Sequence, residues 1–202
     1  MAIFVARHGE TELNAARIIQ MPTTPLSARG RDQAARLAAR LAPLGIARIL
    51  TSDYLRAVET AEAIAARSGA AIVVDPLLRE RDFGDIRGTP YDALGGIDPF
   101  ALDYHPPNGE SWAQFHARVA VAWELVARVA AATDGNLAVV THGLVCRALV
   151  DEHLVLPAGE TAPSLWGNTA LTEVAHAPPW TVRVLACTAH LVDGVPPSDA
   201  AA

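Results

Sequence analysis

At 202 residues and 51% hydrophobic, the chain has the length of one domain and apolar material for a substantial core. No apolar run approaches the roughly 20 residues that span a bilayer, and a net charge of −6 speaks against a nucleic-acid-binding face. All 16 basic residues are arginine, which removes P-loop, Schiff-base and pyridoxal lysines.

Met1-Ala2-Ile3 has no basic leader region, so no cleavage is expected and the protein reads as cytoplasmic. The run Ile3-Phe4-Val5-Ala6 reads as a buried parallel strand that ends abruptly on Arg7, His8 and Gly9. Glycine there is expected to let backbone N–H groups approach an anion. Residues 15 to 26, with Pro22 and Pro25, form a loop. Ser27 caps a helix to about Leu41, with Ala34, Leu37, Ala38 and Leu41 on one face and Pro43 and Gly45 as its stop.

A second strand spans Ala47 to Thr51. A helix from Asp53 to Arg67 follows, carrying Arg56 in its first turn and closed by Gly69. Its stripe is Ala57, Val58, Ala61, Ile64 and Ala65, with Glu59, Glu62 and Arg67 on a solvated face. Ala71 to Val74 is a third strand, ended by Pro76. From Gly88 to Ala113 the composition shifts to glycine, proline, aspartate and aromatics, which suits a substrate lid inserted in a single 1–202 domain better than a linker between two.

A helix from Ser111 to Ala132 buries Phe115, Val119, Trp123, Val126 and Ala130. The strand Leu137 to Thr141 then delivers His142 and Gly143 to a helix running from Leu144 to about Leu154. Asn168 to Ala175 and Thr181 to Cys187 are two strands around Pro178-Pro179, and Pro196 to Ala202 reads as frayed. Cys146 and Cys187 lack redox or disulfide spacing and read as small core residues.

Strands alternating with helices indicate an α/β protein with a mostly parallel sheet. Two of its strands each bring a histidine and a glycine to the sheet edge where ligands bind. Arg7 and Arg56 supply forks that match phosphate oxygens, and Glu80 sits between Arg79 and Arg81. Together these residues describe a phosphate pocket with a histidine at its floor.

The chain resembles the histidine phosphatase superfamily, the phosphoglycerate mutase-like proteins, over Val5–Asn14, Thr51–Ala61, Leu78–Gly88, Pro107–Trp112 and Val139–Leu149. The resemblance implies a three-layer α/β/α sandwich, His8 as a nucleophile that becomes phosphohistidine, His142 as a second histidine, and Glu80 as the acid for the leaving group. It also implies phosphate binding by Arg7, Asn14 and Arg56, with the N–H of Gly143 as a further donor. For attack, His8 must be neutral, with its other nitrogen donating to a carbonyl for which Gly9 is nearest. Glu80 must be protonated by burial, so Arg79 and Arg81 should point elsewhere.

Thr11 could donate to substrate or make a turn, Ser52 is expected to cap, and His105 and His116 flank the insert. His153, His176 and His190 read as structural or exposed. His8, His142 and Glu80 also fit a two-histidine, one-carboxylate metal set, but two converging arginines would repel the cation. No metal and no cofactor is therefore expected, and a non-catalytic phosphate-binding module is the other alternative.

Mutases of the family carry basic residues in the insert, whereas Gly88 to Ala117 has none and holds Asp92, Asp98, Asp103 and Glu110. In those mutases Gly-Asn follows the second histidine, and here Leu144 follows Gly143. The expected activity is hydrolysis of a small-molecule phosphate ester, with phosphoglycerate mutase-type transfer as the alternative. Some of Tyr91, Phe100, Tyr104 and Trp112 are expected around a leaving group with no second anion. No nucleic acid or membrane partner is expected, and a homodimer is left open.

Overall fold

The computed structural model describes residues 1–192, so the expected fraying of Pro196 to Ala202 lies outside the described residues. Six strands form one sheet in the order β3-β2-β4-β1-β5-β6: β1 (Ala2–Arg7), β2 (Ile46–Thr51), β3 (Ala71–Val74), β4 (Asn136–Thr141), β5 (Leu171–Ala175) and β6 (Val182–Cys187). The first four run parallel, and β5 is antiparallel to both β1 and β6. The helices are α1 (Glu12–Ala15), α2 (Ala28–Leu41), α3 (Leu55–Ser68), α4 (Trp112–Ala131) and α5 (Gly143–Glu152).

Alternation along β1 assigns the layers, because successive side chains point to opposite faces of a strand. Ala2, Phe4 and Ala6 pack with Leu37 of α2 and Ala61 and Ile64 of α3. Ile3 and Val5 pack with Phe115 and Val119 of α4 and Leu149 of α5. Burying a side chain of this size contributes about 1.5–3 kcal/mol, so both faces favour the same register. Among the described residues no helix is long and apolar enough to cross a membrane.

Local chemistry sets the ends. Ser27 accepts the Gly30 N–H, and Ser111 and Gln114 form a reciprocal capping box that starts α4. Gly69 ends α3 at φ 71°, a conformation that costs a residue with a side chain. Two boundaries and one side chain differ from expectation. Helix α3 begins at Leu55 rather than Asp53, because Asp53 pairs with Arg79. Strand β5 begins at Leu171, because Asn168 and Thr169 leave the ladder to donate to His8 O. Glu59 is only partly solvated, since its carboxylate accepts the Leu26 N–H and ties down the loop of residues 15 to 26.

Candidate active site

Strands β2, β4 and β1 are neighbours, with Thr51 opposite Val140 and Arg7 opposite Thr141. The ladder runs one step further, as Ser52 N–H donates to Val140 O at 3.1 Å and His8 N–H to Thr141 O at 2.9 Å. Parallel register therefore brings Ser52, His142 and His8 into a row at the carboxyl edge. The two histidine rings meet edge to face with centroids 5.1 Å apart.

His8 is 1% exposed. Its Nδ1 lies 2.7 Å from Gly9 O, an N–H donation that leaves Nε2 unprotonated. Arg56 Nε donates to that nitrogen at 3.2 Å. Burial, then the charges of Arg56 and Arg7, hold the His8 pKa well below its ordinary value, against a smaller upward pull from Gly9 O. The ring is neutral at physiological pH, as a nucleophile requires. Any cation bound at Nε2 would have to sit where the Arg56 guanidinium is.

Arg56 is held from below by Met21 O at 3.0 Å, and burial lowers its pKa to about 10, still charged at neutrality. Arg7 donates to Trp166 O and has a buried Nε with no partner among the described residues. A Cβ at Gly143 would lie 3.6 Å from that Nε, so the glycine leaves the guanidinium face open. The first N–H groups of a helix have no intrahelical partner, and Gly143 is the first residue of α5.

Gly9 departs from expectation. Its N–H donates to Thr60 Oγ1 at 3.1 Å, and a Cβ there would meet Gly30 O at 2.5 Å. The residue is small so that the loop can pack on α2, and its amide is not offered to an anion.

Glu80 accepts N–H groups from Arg81 at 3.0 Å and Leu144 at 3.1 Å. Burial raises its pKa, outweighing those two bonds and the charges of Arg56 and Arg7. The flanking arginines do point elsewhere: Arg79 pairs with Asp53, and Arg81 turns into residues 88 to 113. There Arg81, 1% exposed, donates to the carbonyls of Pro99 (3.0 Å), Tyr104 (2.6 Å) and Glu110 (3.1 Å) and lies 4.2 Å over the Trp112 ring.

These side chains surround a cavity of about 450 Å³ lined by Arg7, Asn14, Arg56, Glu80 and Gly143. Of the four aromatic candidates, Tyr91 and Phe100 reach it, joined by Phe83 and Trp166. Tyr104 and Trp112 are occupied with Arg81 instead. Thr11 is buried as the cap of α1, accepting from Asn14 N–H and donating to Gln20. His105 lies against Gly109 O, and His116 pairs with Glu152, outside the cavity.

Arg17, Arg87 and Arg147 also line the cavity, so a mouth averse to a second anion is not what the structure shows. Arg87 pairs with Asp82 and Arg147 with Asp151, whereas Arg17 lies over Tyr91 and makes no ion pair among the described residues. A weak signal was available. Arg17 follows Asn14 by three residues, and Arg147 follows Gly143 by one helical turn.

Residues 3–186 match the family described as histidine phosphatase superfamily (branch 1). A probable phosphoglycerate mutase, GpmB, of Enterobacter sp. (strain 638) is 31% identical over 206 residues, 95% of each chain. Among solved structures, Bacillus stearothermophilus YhfR superposes with a TM-score of 0.80 at 29% identity, over 94% of this chain and 98% of that one. A mycobacterial glucosyl-3-phosphoglycerate phosphatase solved with VO3 gives 0.75 at 29% identity, over 92% and 98%. With the paired histidines, buried arginines and raised glutamate at one sheet edge, these likenesses establish that the chain belongs to the histidine phosphatase superfamily.

Proposed function

We propose that the protein hydrolyses a small-molecule phosphomonoester through a phosphohistidine on His8. The observation that carries this reading is the neutral His8 ring, with Nδ1 tied to Gly9 O, Nε2 met by Arg56 Nε, and the charge of Arg7 acting on the same ring. An incoming phosphate takes over the Arg56 donor and the unpaired Arg7 Nε, which frees Nε2. Nε2 forms a bond to phosphorus as the ester P–O bond breaks, and Glu80 gives its proton to the departing oxygen. Water then attacks phosphorus and returns a proton to Glu80, and the N–P bond breaks to release phosphate and neutral His8.

Residues 88 to 113 serve as the roof over this chemistry, with Tyr91 and Phe100 against the leaving group. A cytoplasmic setting suits the two free thiols, Cys146 and Cys187. Phosphoglycerate mutase-type transfer is the second reading, favoured by the arginines at the mouth and by relatives named as probable mutases. Hydrolysis is preferred because Gly88 to Ala117 contains no arginine or lysine.

The deciding experiment compares phosphate release from aryl and sugar phosphates with bisphosphoglycerate-primed interconversion of phosphoglycerates, each with and without a chelator. Release is expected to dominate and to ignore the chelator. Dominant interconversion would establish the second reading, and loss of activity on chelation would return the metal alternative.

A further inference from the structure

The end of β2 contributes a residue that none of the chemistry above uses. Ser52 is 0% exposed, and its Oγ lies 2.9 Å from His142 Nε2. The same Oγ accepts the Tyr54 N–H at 3.2 Å. A serine hydroxyl has one hydrogen to give and lone pairs to receive. With Tyr54 N–H filling an acceptor site, the arrangement that gives the serine hydrogen an acceptor has Ser52 O–H donating to an unprotonated His142 Nε2.

The ring proton is then on Nδ1. That nitrogen is buried and has no hydrogen-bond partner among the described residues. The opposite tautomer would leave the serine hydrogen without an acceptor and put a bare lone pair at Nδ1, where an anion is expected to bind. Each unmatched buried polar group costs about 1–3 kcal/mol, and the first arrangement leaves one, Nδ1–H, where the opposite tautomer leaves two, which selects the first.

We infer that Ser52 is a positioning residue that sets the tautomer of His142, so that Nδ1–H is the donor reserved for the phosphoryl oxygens during transfer to His8. The ladder explains why a residue 90 positions away can do this: Ser52 and His142 occupy the first positions past two paired parallel strands. The Tyr54 ring closes the other side, edge to face with His142 at 5.2 Å, so the imidazole cannot turn without breaking both contacts. Burial and the charges of Arg56 and Arg7 keep His142 neutral, which makes the choice of tautomer consequential.

The inference rests on the hydrolase reading only for its catalytic consequence. The test therefore has an arm independent of turnover: imidazole 15N shifts of His142 in the wild-type protein, assigned by comparison with His142→Gln. A protonated Nδ1 with a bare Nε2 is expected, and a proton on Nε2 would overturn the inference. In Ser52→Ala the proton should redistribute toward Nε2 and kcat should fall by about tenfold to a hundredfold. KM should change by less than about threefold, since the ground-state phosphate is held mainly by Arg7 and Arg56. Ser52→Thr keeps the hydroxyl and should recover the wild-type tautomer and most of kcat. A Ser52→Ala protein with kcat within about twofold of wild type would also overturn the inference. Absence of any phosphomonoesterase activity in the wild type would remove the hydrolase reading and leave the 15N result to decide Ser52.

Discussion

The floor and the roof of the pocket are built on different principles. The floor is made of strand ends: Arg7, His8, Ser52 and His142 are fixed by backbone ladders that continue into the site, with almost no exposed surface on the last three and Arg7 partly open. The roof, residues 88 to 113 up to the start of α4, has one 3-10 turn and, among the described residues, no strand pairing beyond the Ile18–Pro90 bridge, and hangs on isolated loop hydrogen bonds, the buried Arg81 guanidinium, the Glu110–Arg118 pair and a small cluster of Ile19, Phe83 and Leu94. A floor held by secondary structure cannot move without unfolding the sheet. A roof held by side chains can vary in composition while the chemistry beneath stays fixed.

The largest effect should come from the floor. His8→Ala is expected to lower kcat/KM by at least about 10⁴-fold while folding normally, read by phosphate release and by loss of an acid-labile, base-stable phosphoryl label. Turnover at the wild-type rate in that variant would remove the mechanism altogether. Arg56→Ala should cost about 10²–10³-fold in kcat/KM, shared between a raised KM and a lowered kcat, because the same fork holds the bound phosphate and the transferring phosphoryl group. Lysine should not restore it, since one ammonium cannot reproduce a fork.

Glu80 joins the two regions, and its variant should depend on the substrate. Glu80→Gln is expected to lower kcat by about 10²–10⁴-fold for alkyl phosphates, and by much less for p-nitrophenyl phosphate, whose leaving group needs no proton. The pH profile follows the same sign. An acid with a raised pKa works below that pKa, so kcat should fall as pH rises through it, and the glutamine variant should lose that alkaline limb. On the acid side, His8 is neutral well below pH 6.5, so its protonation should not produce a limb there once the substrate's own titration is subtracted.

Roof variants should be milder in chemistry and clearer in stability. Arg81→Ala strands three carbonyl acceptors and should cost about 2–4 kcal/mol in urea denaturation, with KM raised more than kcat is lowered. Phe100→Ala should raise KM for aryl phosphates by about threefold to tenfold and leave alkyl phosphates nearly unchanged. Equal effects on both substrates would mean that Phe100 supports the roof without meeting the leaving group.

The floor was legible because its residues follow strands whose apolar runs and abrupt polar ends have a clear period. His8, Arg56, His142 and the cap at Ser27 fall where the pattern puts them. Arg81 was read as a neighbour to be kept away from Glu80, since nothing local says which carbonyls an arginine will meet 18 to 29 residues later. Arg17, Arg87 and Arg147 were missed for the same reason.

Local sequence determined which segments are strands and helices, which ends are polar, and that the polar ends carry phosphate chemistry, because burial period and capping act over a few residues. Tertiary structure alone decided the strand order that sets Ser52 beside His142, the burial that shifts His8 and Glu80 in opposite directions from their ordinary pKa values, and the route by which Arg81 holds the roof. Those depend on which distant groups exclude water from one another, and separation along the chain carries no record of that.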